Sequence, residues 1–256
     1  MILKQPDYNE LCFILASVMA GLVVVPANIT EANPELVKKL IVASDTQYVY
    51  TDAELQPMFQ GSPLPFLCLG DVTQYEPVVI VDKSNPEEMS FMYFTSGTTG
   101  VAKAVMHSQK SMMSASHGVM ERFNGYKYFN DVLYLTTFFH VAGLIIPLVT
   151  LEYGCAVNCN FNPKFFYRDF QKMPSSSTIV PPIIYYMLIK VYKKDPSLIN
   201  GLHGILVIGG ACEPHSVISG LQLGFDVFPC YGMTESAGLV AQNLSKQLDK
   251  KELIQL

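Results

Sequence analysis

The sequence predicts an α/β fold of three layers, with mostly parallel sheets flanked by helices, and three observations carry that reading. Strand-like and helix-like segments alternate through residues 132–228, and parallel strands need crossover connections of a dozen or more residues, which helices usually supply. The chain has 256 residues, 50% of them hydrophobic and 15% charged, enough apolar material for one large or two small domains. No repeat of fixed period and no low-complexity tract breaks the alternation, so solenoid and disordered architectures are excluded.

The first element needs the most argument. Residues 11–30 carry no charge over twenty positions, about the length that a bilayer span requires. Ser17, Gly21, Pro26 and Asn28 interrupt the run, and the β-branched Val23-Val24-Val25 favours extended backbone, so the segment reads as a buried helix turning at Gly21 into a strand. Lys4 is followed by Asp7 and Glu10 with no small-residue cleavage pattern, a poor secretory signal. The expectation is therefore a chain without a transmembrane span, cytoplasmic, with mitochondrion and peroxisome left open; it closes on Ile-Gln-Leu rather than Ser-Lys-Leu.

A helix follows, with Pro34 near its start and Leu36, Leu40 and Ile41 at helical spacing, then a strand at 48–50. Residues 52–76 hold Pro57, Gly61, Pro63, Pro65 and Gly70 and read as loop with one short strand near 66–69. Strands are expected at 78–81 and 92–94, then a Gly/Thr/Ser loop and a helix over 108–122. Thereafter strands at 132–136, 156–158, 177–180, 205–208 and 226–228 alternate with helices at 142–151, 164–172, 183–192 and 214–223. From Gln242 the sequence turns polar and lysine-rich, which predicts a tail or frayed helix.

Charge and cysteine usage narrow the function. Seventeen Lys plus Arg against 22 Asp plus Glu give a net charge of −5, which offers no basic field for nucleic acid. The six cysteines are scattered without framework or zinc-ligand spacing, so they read as reduced thiols in the interior. No Gly-x-Ser-x-Gly elbow is present, which removes the hydrolase triad.

The chemistry concentrates in Met92 to Lys103, an apolar strand emptying into Thr95, Ser96, Gly97, Thr98, Thr99 and Gly100, with Lys103 beyond. Glycines let the backbone approach a ligand closely, successive N–H groups can nest an anion, and the hydroxyls and the lysine add donors and charge. The pattern suits phosphate. It is not a Walker A loop, because Val101 and Ala102 separate the lysine from the second glycine. Downstream, Ile208-Gly209-Gly210-Ala211 ends a strand, and Tyr231-Gly232-Met233-Thr234-Glu235 follows another; Glu235 is a hard oxygen donor suited to Mg²⁺. Read alone, the glycine turn is equally a tight strand-to-helix connection, and the later stretch equally a helix start.

At these residues the sequence resembles the adenylate-forming (AMP-binding) enzymes: acyl- and aryl-CoA synthetases, luciferases and peptide-synthetase adenylation domains. YFTSGTTGVAKAV matches their phosphate-loop signature with Ala102 where proline is usual, and YGMTE matches a second signature. Phe138-Phe139-His140-Val141-Ala142-Gly143-Leu144 is similar to the family segment whose histidine faces the acyl pocket. The resemblance implies an acid–thiol ligase that uses ATP, Mg²⁺ and coenzyme A on a small-molecule carboxylic acid. It implies that Thr95, Ser96, Gly97, Thr98, Thr99, Gly100 and Lys103 hold phosphates, that Gly209, Gly210, Ala211, Tyr231 and Gly232 shape the nucleotide pocket, and that Thr234 and Glu235 meet the α-phosphate and metal. His140 would contact the acid. Lys103, His140, Thr234 and Glu235 form the expected catalytic set.

The resemblance implies a partial N-terminal domain over 1–241 followed by the polar tail 242–256, with no counterpart of the family's Thr-Gly-Asp segment, hinge or C-terminal domain with its lysine. Loss of such a preorganised cation lowers rate by about 10²–10³, so impaired activity is expected. Two alternatives stay open: a non-catalytic nucleotide- or acyl-binding module, with a partner chain covering its exposed edge, and a phosphate-loop ATPase. The identity of the acid, and the choice between CoA ligase and luciferase-like chemistry, are not legible.

Overall fold

A computed structural model describes residues 1–4, 6–28, 33–59, 64–67, 76, 81–96, 102–122, 131–134, 137–159, 168, 170–171 and 176–242. The chain separates into two compact units, Met1–Met112 with Phe138–Val141, and Met113–Thr137 with Ala142–Leu256.

In the first unit, β1 (Ile2–Leu3), β2 (Val49–Thr51) and β3 (Phe66–Leu67) form a parallel three-stranded sheet in that order. Helix α1 (Tyr8–Met19) starts where Asp7 Oδ1 accepts from the Glu10 amide at 2.7 Å, a side-chain cap on an otherwise unpaired donor. Its twelve residues are followed by the turn at Gly21, and among the described residues no helix is long and apolar enough to cross a membrane. Val23-Val24-Val25 continues as extended chain held by isolated bridges, Val24 to Phe91 and Pro26 to Ile2. Helix α2 (Pro34–Ala43) is capped by Asn33, whose Oδ1 accepts from the Leu36 amide at 2.9 Å. Leu3, Val25, Val37, Leu40, Val49 and Phe59 make the core, with Met92 and Phe94 packed against it.

Beyond this sheet, β4 (Met89–Ser96) pairs antiparallel with β5 (Ala102–Ser108), which leads into α3 (Gln109–Arg122). The expected strand-loop-helix is therefore a strand hairpin before the helix. In β5 His107 is buried and Val105 half-buried, while Ala104 and Met106 on the alternate face are exposed, as is Lys103 near the strand's start. Its outward Ala104 and Met106 are apolar, which hides the period-two pattern. The loop expected over 52–76 contains a 3₁₀ turn at Ala53–Phe59.

The second unit is built on a six-stranded sheet ordered β11-β10-β9-β8-β6-β7. Its members are β6 (Asp131–Tyr134), β7 (Ala156–Asn158), β8 (Ser177–Val180), β9 (Gly204–Val207), β10 (Asp226–Met233) and β11 (Gly238–Gln242). All neighbours run parallel except β10 and β11. The crossovers carry α4 (Val141–Glu152), α5 (Pro182–Lys194) and α6 (Pro214–Gln222). Tyr185, Leu188 and Val217 from α5 and α6 pack on Val180, Ile205, Val207 and Val227. The alternate positions Ile179, Leu206 and Phe228 are buried too, so both sheet faces are covered, as parallel strands require. Two features depart from expectation: β10 runs five residues past 228, and a further strand, β11, follows it just before the polar tail expected from 242. The strand expected at 78–81 and the helix at 164–172 lie largely outside the described residues, as does 243–256.

Candidate functional site

In the sequence the Gly/Thr-rich stretch lies between β4 and β5. Thr95 faces Lys103 and Ser96 faces Ala102 across the ladder, so the five residues 97–101 connect two adjacent strand ends. Gly97, Thr98, Thr99 and Gly100 lie outside the described residues, as does the Ser96 side chain. The hairpin is anchored at its other end by buried Phe91 and Tyr93, while Lys103 is exposed and Thr95 half-buried. An exposed ammonium is available to an anionic ligand.

In the second unit, two turns leave the same end of the sheet. β9 and β10 are parallel neighbours, with Val207 opposite Pro229, and each passes directly into a predicted site segment. After β9, the Ile208 amide bonds Val180 O at 3.0 Å, and Gly209 turns the chain with φ +93°. That conformation suits glycine alone, and a Cβ there would meet nothing within 4 Å, so open space lies above the turn. Gly210 and Ala211 follow, both exposed, and α6 begins at Pro214. Crevices outside the carboxyl ends of parallel strands are where open α/β sheets bind ligands.

The segment after β10 is not the helix start that its residues allow. Tyr231, Gly232 and Met233 belong to β10 itself and pair with β11, with a register shift between Tyr231 and Gly232. Gly232 is required by close approach: a Cβ would collide with the Gly238 carbonyl oxygen. Thr234–Ser236 forms a single 3₁₀ turn, and Ala237 closes it at φ 56°. Ser236 Oγ lies 3.0 Å from Met233 O and 3.1 Å from Gly238 O, tying the two strands across the loop that carries Glu235. Sequence reasoning missed Ser236, because its role is set by the path of the loop rather than by a spacing. Tyr231 is 60% exposed, a ring free to stack; Glu235 is exposed and Thr234 half-buried.

The thiols beside these turns are inert. Burial pushes the Cys230 thiol up to about 12, and burial with the neighbouring Glu213 carboxylate pushes Cys212 up to about 11, so neither is a thiolate nucleophile at neutral pH. Among the described residues no group of three or more His, Cys, Asp or Glu is arranged to hold a metal. Glu235, an exposed carboxylate, belongs to no such group.

His140, just before α4, belongs to the first unit together with β4 and β5, whereas Gly209–Ala211 and Tyr231–Glu235 belong to the second. Phe138 is buried beneath it, while His140 is exposed with its ring 4.3 Å from that of Phe139. A cavity of about 760 Å³ in the first unit and one of about 540 Å³ in the second are lined by none of the predicted site residues.

Residues 6–254 match the family of AMP-binding enzymes. The chain belongs to that family. Among curated AMP-binding relatives, it is 27% identical over 159 residues to the 2-succinylbenzoate–CoA ligase of Enterococcus faecalis, an alignment covering 61% of this chain and 32% of that one. It is 24% identical over 258 residues to the sulfoacetate–CoA ligase of Cupriavidus necator, covering 93% of this chain and 50% of that one. The fold is that of O-succinylbenzoate coenzyme A synthetase from Bacillus subtilis, solved with AMP: TM-score 0.82 at 18% identity, covering 96% of this chain and 51% of the other. The chain thus spans about half or less of these relatives' length.

Proposed function

We propose that this chain supplies the nucleotide- and acid-binding part of an acid–thiol ligase that makes an acyl-adenylate from a carboxylic acid and ATP and passes the acyl group to coenzyme A. The observation that carries the reading is the presence of two family signatures, TSGTTG between β4 and β5 in the sequence and YGMTE at the end of β10, the latter next to the strand β9 that leads into the Gly-Gly-Ala turn. Family membership and relatives named as CoA ligases support it, and the Bacillus subtilis enzyme has been solved with ATP and magnesium ion.

On this reading Ser96, Thr98, Thr99 and Lys103 hold the β- and γ-phosphates through hydroxyls, backbone N–H groups and one ammonium. Gly209 presents bare backbone with open space above it, Gly210 and Ala211 continue the turn with little or no side chain, and the exposed Tyr231 ring gives the base a face to pack on. Thr234 lies at the α-phosphate, with the Glu235 carboxylate as the protein's ligand to Mg²⁺, an ion that neutralises phosphate charge. A carboxylate oxygen of the acid, bound near His140, attacks the α-phosphorus; the bond to the bridging oxygen breaks and pyrophosphate leaves with its electron pair. Attack of a thiolate on the acyl carbonyl then expels AMP. The residues act by placement and charge neutralisation, the main contributions in phosphoryl transfer.

The test is thermal stabilisation of the purified chain by Mg-ATP, compared with Lys103→Ala. The reading expects a saturable rise in melting temperature for the parent chain, and none, or a tenfold weaker response, for the variant (about 1.4 kcal/mol,). Carboxylate-dependent ATP–pyrophosphate exchange extends the test to chemistry. Absence of any ATP response contradicts the nucleotide site; stabilisation without exchange restricts the chain to binding.

A further inference from the structure

The first unit contains a buried ionic cluster that the nucleotide chemistry does not use. Lys4 Nζ lies 2.6 Å from Asp7 Oδ2 and 2.8 Å from Asp52 Oδ1, so the cluster's one ammonium is taken up by two carboxylates. A third carboxylate, Glu10, sits one turn into α1 at 4% exposure, and its Oε2 has no hydrogen-bond partner among the described residues. The hydroxyls of Tyr50, Thr51 and Tyr93 are likewise buried without partners among those residues. An ionised Glu10 in these surroundings would be a buried charge with no contacting cation, which is among the most costly arrangements in a protein interior.

The groups that act on Glu10 all belong to this cluster. Burial dominates and raises its carboxyl well above the usual range; Asp7 and Asp52 push the same way and Lys4 opposes them. Tyr50 and Tyr93, themselves raised chiefly by burial, feel the Glu10 charge in turn. They tie the acid to two strands: Tyr50 on β2 stacks on Phe13 of α1 with ring centres 4.0 Å apart, and Tyr93 on β4 meets the edge of His107 on β5 at 6.3 Å.

We propose that Glu10 is a proton-operated strut, packed as a neutral carboxylic acid between α1 and the strands β2 and β4, whose ionisation draws water into the cluster and loosens that packing. The neutral acid gains an O–H donor for the surrounding oxygens. Ionisation loses that donor and adds charge at a site whose cation is already engaged. β4 is the strand that ends at Ser96, so the switch lies at the base of the hairpin bearing residues 97–101. This inference concerns the unliganded chain and does not depend on the nucleotide reading.

The sign of the effect is fixed by the proton balance. In the unfolded chain Glu10 releases its proton near the ordinary glutamate value; in the folded chain it keeps it. Stability contributed by the neutral acid is therefore lost as pH rises above the unfolded value, until the folded group has also ionised. Thermal unfolding of the full chain without ligand, followed from roughly pH 5 to pH 9, compares the parent with Glu10→Gln. The parent's melting temperature should fall relative to the variant by about 3 °C or more across that range. Glutamine keeps the shape and a donor without the charge, so subtraction removes the titration of Lys4, Asp7, Asp52 and the tyrosines. Parallel profiles overturn the proposal. Carboxyl ¹³C NMR of the parent chain labelled at glutamate gives another readout that needs no variant: one resonance stays protonated at pH 7. Ionisation of every glutamate by that pH overturns it.

Discussion

The two candidate regions, one in each unit of the chain, are specified in different ways. Around Gly209 and Tyr231–Glu235 the backbone path follows from packing: parallel strands buried on both faces, a glycine at positive φ, and a hairpin so close that residue 232 has no room for a Cβ. At the β4–β5 pair the described residues that pack, Phe91 and Tyr93, lie away from the connection, and Lys103 beside it is exposed. Substitution in the first region should thus lower stability and binding together, whereas substitution in the second should remove binding and leave stability intact.

The largest effect is expected at Gly232. Gly232→Ala forces β10 away from β11, and the second unit should lose about 3 kcal/mol in urea unfolding; an unchanged midpoint would mean that the hairpin is not built this way. Next comes Gly220, where an added Cβ would lie 2.7 Å from Val227 Cγ2 and would also strike the Tyr185 hydroxyl. Gly220→Ala should cost about 2 kcal/mol. Tyr185→Phe, which removes the 2.7 Å bond to Ser216 O, should cost about 1 kcal/mol, and the double variant less than the sum because the hydroxyl no longer obstructs. Strict additivity would show that the two groups do not meet. Smaller again is Gly209→Ala, about 1 kcal/mol of backbone strain, against a change within about 0.5 kcal/mol for Gly210→Ala, whose Cβ would meet Pro182 Cγ at 3.4 Å. Equal effects at 209 and 210 would remove the conformational argument. Lys103→Ala closes the series: unfolding unchanged within about 0.5 kcal/mol, with the Mg-ATP response lost. A destabilised variant would show that the lysine is structural.

Much of the fold is legible in the sequence, and the reason is physical. A strand covered on both faces, such as Ile205-Leu206-Val207, is a continuous apolar run, and the Pro-started helices at 182 and 214 each follow a buried strand. The strands that escape notice are the short or one-sided ones: β1 has two residues, β5 shows apolar side chains on its open face, and β11 follows a turn that reads as a helix start. In the candidate regions, residue types point to phosphate and metal chemistry, and the family resemblance orders them. Ser236 and Glu10 are illegible for opposite reasons. Ser236 works through backbone oxygens that only the loop path brings near, whereas Glu10 is an ordinary acidic residue in a helix's first turn until the fold buries it.

Under the proposed function, the central claim is that residues 95–103 and YGMTE both take part in binding one triphosphate. Mn²⁺ in place of Mg²⁺ makes it directly measurable, since the bound ion broadens the amide resonances of residues near it. With Mn-ATP bound, the claim predicts that signals from 95–103 and from 231–236 vanish together and return when Mg-ATP is exchanged in. Broadening confined to one stretch, or absent from both at saturating nucleotide, contradicts it.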